Sequence, residues 1–199
     1  MAWSEVDIAN SALINLGAEP IMSFDDDSKE ARAVKNRYAR VRDTVLRMHP
    51  WNRCIKRVVT APLANDTPAF GFTYKHEIPS DCLRILDIDP ELDQEYRIEG
   101  RQIFSDSDSH ELKYVARIED VAQYDDLLCE AIAMYLAWSI AYFITQSNSV
   151  KQQMWADLGA ILTKAKSVDA QEDYRIGVEA SLFIESRDDY RQEPLRKDR

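Results

Sequence analysis

The stretch Asp125-Asp126-Leu127-Leu128-Cys129-Glu130-Ala131-Ile132-Ala133-Met134-Tyr135-Leu136-Ala137-Trp138-Ser139-Ile140-Ala141-Tyr142-Phe143-Ile144-Thr145-Gln146-Ser147 decides the fold. No charged residue occurs between Ala131 and Ser149, in a chain whose residues are 30% charged. Leu127, Leu128, Ala131, Ile132, Tyr135, Leu136, Trp138, Ser139, Tyr142 and Phe143 recur at helical spacing. Ala133, Met134, Ala137, Ile140 and Ala141 fill the remaining faces. A helix apolar nearly all round is either buried on every side or spans a membrane. The apolar run stops at Ile144, short of the ~18 residues that read as a span. The stretch is therefore expected as the central helix of a soluble helical core, with Tyr135, Trp138 and Tyr142 as core residues rather than ligand contacts.

Working outward, 199 residues suffice for one sizeable domain, or a core with an insertion, without disulfide staples. A net charge of -10 argues against a surface that grips nucleic acid by neutralising phosphates. Cys54, Cys82 and Cys129 are odd in number, widely spaced and set among apolar residues, which predicts reduced buried thiols. Met1-Ala2-Trp3-Ser4-Glu5-Val6-Asp7 has neither a basic n-region nor an apolar h-region, so no signal peptide is expected.

Ser4 and Asp7 form an S-x-x-D capping box that opens a first helix, with Val6, Ala9, Ala12, Leu13 and Leu16 as its apolar face. Gly17 and Pro20 end it. Asp25-Asp26-Asp27-Ser28 is an acidic loop able to cap the second helix, Lys29 to His49, which Pro50 closes. In that helix Ala31, Val34, Tyr38, Val41, Val45 and Met48 make one apolar stripe. Its remaining surface is basic, through Lys29, Arg32, Lys35, Arg37, Arg40, Arg42 and Arg47. In an acidic chain a basic face is better read as solvated, or paired with acidic surface on this or a neighbouring subunit, than as a nucleic-acid site.

From Trp51 to Ile118 the period changes to that of short strands: 54–60, 70–74, 82–88, 96–98, 102–104 and 112–116. Glu99-Gly100-Arg101 suits a tight hairpin, and five of the seven prolines fall in or beside the region. A fourth helix follows Ser147-Asn148-Ser149, with Met154, Leu158, Ile161, Leu162, Ala165 and Val168 as its stripe. So short a turn makes it an antiparallel neighbour of the third. The expected architecture is mainly α: an up-and-down four-helix core (1–50 and 119–173), a small antiparallel β insertion (51–118) and a C-terminal arm (174–199). Leu182, Phe183 and Ile184 form one apolar knot in the arm, while Tyr190 and Leu195 stand alone, which suits anchors on a partner.

Chemical motifs are missing. Five unclustered glycines give no phosphate-cradling loop, and no G-x-S-x-G, HExxH or paired CxxC occurs. His49, His76 and His110 lie in separate elements without metal-ligand spacing, and His49 is placed to cap a helix C-terminus. The many carboxylates fall in exposed loops or helix starts. No catalytic residue, cofactor or metal is expected.

The order of these pieces resembles the tail tubular protein A family of short-tailed phages, the head-to-tail adaptors. The stretches that carry the likeness are Ala12-Leu13-Ile14-Asn15-Leu16-Gly17-Ala18-Glu19-Pro20-Ile21 with Asp25-Asp26-Asp27-Ser28, and Arg42-Asp43-Thr44-Val45-Leu46-Arg47-Met48-His49-Pro50-Trp51-Asn52. Ile78-Pro79-Ser80-Asp81-Cys82-Leu83-Arg84-Ile85-Leu86, Tyr96-Arg97-Ile98-Glu99-Gly100-Arg101 and the central helix complete it, over roughly Val6 to Asp173. The resemblance implies a non-enzymatic virion protein, assembled in the host cytoplasm as a dodecameric ring between the portal protein and a tubular protein B-like tail nozzle. DNA would pass its central channel without sequence recognition, with no membrane involved, and net negative charge suits such a channel. The arm residues Leu182, Phe183, Ile184, Tyr190 and Leu195 would then meet the portal, and Arg37, Arg40 and Arg47 would serve contacts between subunits. Competing readings are a head-completion stopper of a long-tailed phage, or a glycan hydrolase built on a carboxylate pair.

Overall fold

The computed structural model describes residues 3–89 and 95–172. Its elements run α1 (Glu5–Asn15), α2 (Lys29–Met48), β1 (Ile55–Thr60), β2 (Tyr74–Glu77), β3 (Cys82–Ile88), β4 (Tyr96–Glu99), β5 (Gln102–Ser105), β6 (His110–Ala116), α3 (Asp126–Thr145) and α4 (Asn148–Glu172). The described chain is a mixed fold of four helices and two small antiparallel sheets. The arm residues Leu182, Phe183, Ile184, Tyr190 and Leu195 lie outside the described residues.

Local chemistry sets the helix ends. Ser4 Oγ accepts from the Asp7 amide at 3.1 Å while Asp7 Oδ2 accepts from the Ser4 amide at 2.9 Å, which closes the expected capping box. Gly17 takes φ +67° after α1, and the Ala18 amide returns to the Leu13 carbonyl at 3.0 Å. Ser28 caps α2 through the Ala31 amide, and Asp125 caps α3 through the Leu128 amide.

The α3 helix is the hub: α1, α2 and α4 all pack against it, whereas α1 and α2 barely meet. Contrary to the expected shortfall, α3 is long and apolar enough to cross a membrane by length and composition, with 20 residues and a best-window mean hydropathy of 1.8. Here protein takes the place of lipid around much of it. Leu128, Ala131, Ile132, Leu136 and Ala137 are fully buried. Its last turns depart from expectation, because Tyr142 and Phe143 are 48% and 52% exposed. Trp138 and Tyr135 are only partly buried. The α4 helix starts after a turn of two residues and leaves these aromatics facing solvent.

In α2, Ala31, Val34, Tyr38, Val41 and Val45 are buried as expected, but Met48 at the helix end is 38% exposed. On the basic side of α2, Arg42 takes the paired alternative rather than the solvated one. It is buried, bonded to Asp43 at 3.0 Å and Glu119 at 3.3 Å, and so ties α2 to the segment leading into α3.

All six strands lie between α2 and α3, and they form two sheets ordered β1-β6-β3 and β2-β5-β4. The strand expected at 70–74 begins only at Tyr74. Gly71 adopts φ +88°, Phe70 is 89% exposed, and Asp106 Oδ1 takes the Thr73 amide and hydroxyl, so 70–73 is held as a loop. The hairpin between β4 and β5 forms where Glu99-Gly100-Arg101 predicts it, with Gly100 at φ +61°. The side chains of Thr60, His76, Ser105 and His110 are buried together and link the two sheets.

Candidate functional site

The turn His49-Pro50-Trp51-Asn52 joins α2 to the first strand. Pro50 keeps His49 extended, at φ -140° and ψ 148°, so the helix stops and the chain reverses. Trp51 is 1% exposed and its indole donates to the Val45 carbonyl at 3.0 Å. The His49 ring stands edge-on to Trp51 and bonds through Nε2 to Asp169 Oδ2 at 3.0 Å. Asp169 Oδ1 accepts from the Asn52 amide at 3.0 Å, and the Asn52 side chain donates to the Asp169 carbonyl at 2.8 Å. Asp169 is buried in the last turn of α4, so three bonds fix that turn to the joint between helices and strands. His49 is thus a clasp to a distant helix rather than a cap on its own.

A second polar cluster, between the sheets, was not legible from spacing. The His76 and His110 rings lie 4.7 Å apart, brought together from β2 and β6. His110 Nδ1 meets Asp89 Oδ2 and its Nε2 meets Ser105 Oγ, in the order of a serine-hydrolase triad. Access decides against that chemistry in this conformation: Ser105 and His76 are fully buried and His110 is 1% exposed. Asp89 Oδ1 also takes the Glu111 amide at 2.7 Å, and His76 Nε2 reaches the Ser107 carbonyl at 3.0 Å. The cluster consumes its polar groups in joining the sheets. Burial holds the His76 pKa below its ordinary value, against the opposing pull of the Ser107 carbonyl.

One open cleft is polar. It measures about 640 Å³ and is lined by Lys56, Ser80, Asp81, Arg117, Glu119 and Asp120. Its cations are paired, Lys56 with Asp81 at 2.7 Å and Arg117 with Asp43 at 2.8 Å. Burial would raise the Asp81 pKa, but bonds from Lys56 and Tyr114 outweigh it and hold the carboxyl below its usual range. Lowered carboxyls are suited to acceptor roles, whereas a general acid needs the opposite shift. All three cysteines are free and buried, and burial pushes the Cys54 and Cys129 thiols up to about 12.

Of the basic residues expected at subunit contacts, Arg37 and Arg40 are exposed and form no ion pair among the described residues. Arg47 instead donates to the Leu83 carbonyl at 2.5 Å, bracing α2 against β3. At the far end of α2, Lys29 lies 5.1 Å from the Phe143 ring centre, and Lys151 lies 5.4 Å from that of Trp138. With Trp155 at 55% exposure, these rings form an aromatic surface, in which Trp138 had been expected as core.

No protein-family model matches the chain, and no curated protein matches it.

Proposed function

We propose that the chain is a non-enzymatic structural adaptor of a phage virion, of the kind it resembles, seated as a ring between portal protein and tail nozzle with a channel for DNA. The four helices are then the up-and-down core, the strands its insertion, and residues 174–199 the arm that reaches the portal. One observation carries the reading. His49-Pro50-Trp51-Asn52, among the stretches that bear the resemblance, grips Asp169 three residues before α4 ends at Glu172. The end of α4 is therefore a fixed base, which suits an arm that docks on a partner. Exposed Arg37 and Arg40 leave a basic face for acidic surface on a neighbouring subunit.

Deleting residues 174–199 tests the arm. The shortened chain should keep its circular dichroism and melting temperature, yet lose binding to portal rings. A shortened chain that still binds the portal, or one that no longer folds, contradicts the assignment.

A further inference from the structure

Among the described residues, strand β4 is an open edge. Its one side pairs with β5, and along the other no described backbone pairs with it. The opposite edge of the same sheet is covered, because Pro62 bridges His76 and the Leu63 amide donates to the Lys75 carbonyl at 2.8 Å. All four β4 residues are exposed, Tyr96 at 40% and Ile98 at 47%. An unpaired edge that carries half-exposed apolar side chains is a template for another strand.

The register says which strand fits. On one face of the sheet Lys75, Phe104 and Arg97 stand in a row across β2, β5 and β4, and Glu77, Gln102 and Glu99 stand in the next row. One row brings a cation to the edge and the other a carboxylate, two residues apart. Lys75 is held by Asp66 at 2.5 Å, so Arg97 and Glu99 are the charges that matter at the edge. Lay a second copy antiparallel with Ile98 opposite Ile98. Arg97 then stands opposite Glu99 of the second copy, and the match occurs twice. The two Ile98 side chains meet on the other face. Opposite charges directly across a strand pair are favourable and like charges are not.

We propose that the free chain pairs with a second copy of itself, edge to edge through β4, as a two-fold dimer whose β2-β5-β4 sheets join into one of six strands. A four-residue strand makes this contact weak and concentration-dependent. Neighbours in a cyclic ring cannot meet through a two-fold axis, so the pairing belongs to the unassembled chain and opens before any ring forms. It stands whether or not the adaptor reading does.

Sedimentation velocity of the full chain over a concentration series tests it. The dimer fraction should rise with concentration. Arg97→Glu and Glu99→Arg should each weaken dimerisation about ten-fold or more, and the two together should restore it. All four β4 residues are exposed, so these changes leave the fold intact by circular dichroism. With Cys54, Cys82 and Cys129 buried, Ile98→Cys should form a disulfide dimer under mild oxidation. Tyr96→Cys should not, because its two copies would lie ~13 Å apart along the strands. A chain monomeric at every concentration, a dimer indifferent to the charge swap, or Tyr96→Cys linking as fast as Ile98→Cys would each overturn the proposal.

Discussion

The Tyr38 hydroxyl is buried beside Phe24 without a hydrogen-bond partner among the described residues. Such a group loses its water and gains nothing in return. Tyr38→Phe should therefore be neutral, or stabilise by up to ~1 kcal/mol in chemical denaturation. A loss above that would mean that the hydroxyl has a partner. Asp169 is the reverse case, a buried carboxylate with every oxygen engaged. Asp169→Ala should cost ~2–4 kcal/mol, since it strands His49 and the Asn52 amide. Unchanged stability would show that the clasp does not form in solution. At this scale the sequence was a partial guide. Ser4, Asp7, Ser28 and Gly17 declare their roles because capping is local. His49, Arg42 and Asp169 do not, because their partners lie 120, 77 and 117 to 120 positions away.

At the scale of elements, the four helices were legible from local signals: side-chain caps open α1, α2 and α3, apolar stripes mark α1, α2 and α4, and an uncharged run marks α3. The strands were legible apart from β2, which was expected at 70–74 and shares only Tyr74 with the observed strand, but their division into two sheets was not, because pairing across β1-β6-β3 is non-local. That is why the histidine cluster went unseen: β2 and β6 each contribute one ring, and only the fold sets them edge to face. The apolar run of α3 also hid its own end. Hydropathy reports that a face is uncharged, not that another element covers it, and so Tyr142 and Phe143 read as core. The cluster has a consequence for acid stability. His76 faces His110 and, beyond it, Asp89, and burial lowers its pKa from 6.5 in the folded state. Above pH 6.5 both states hold the imidazole neutral, so the full contribution is present. As the pH falls below that value the unfolded chain takes a proton that the folded one refuses, and stability drops. Denaturation midpoints should thus decline between about pH 6.5 and 5 in the parent and markedly less in His76→Gln, with circular dichroism at pH 8 as the folding control. Equal declines in both chains would relieve His76 of the role.

For the whole molecule, α3 is a helical hub, two small sheets lie between α2 and α3 in the chain, and the last turn of α4 is clasped to the turn after α2. Its surfaces divide: a basic face at Arg37 and Arg40, an aromatic end at Tyr142, Phe143 and Trp155, and the open edge at β4. The adaptor reading gives the first to neighbouring subunits and the arm to the portal. The direct test is co-sedimentation of the purified chain with portal rings from the same virus, alongside the mass of the chain alone. The account predicts that a monomer, or a weak dimer that opens, joins the portal at one copy per portal subunit. A well-folded chain that leaves the portal rings bare at every concentration would contradict it.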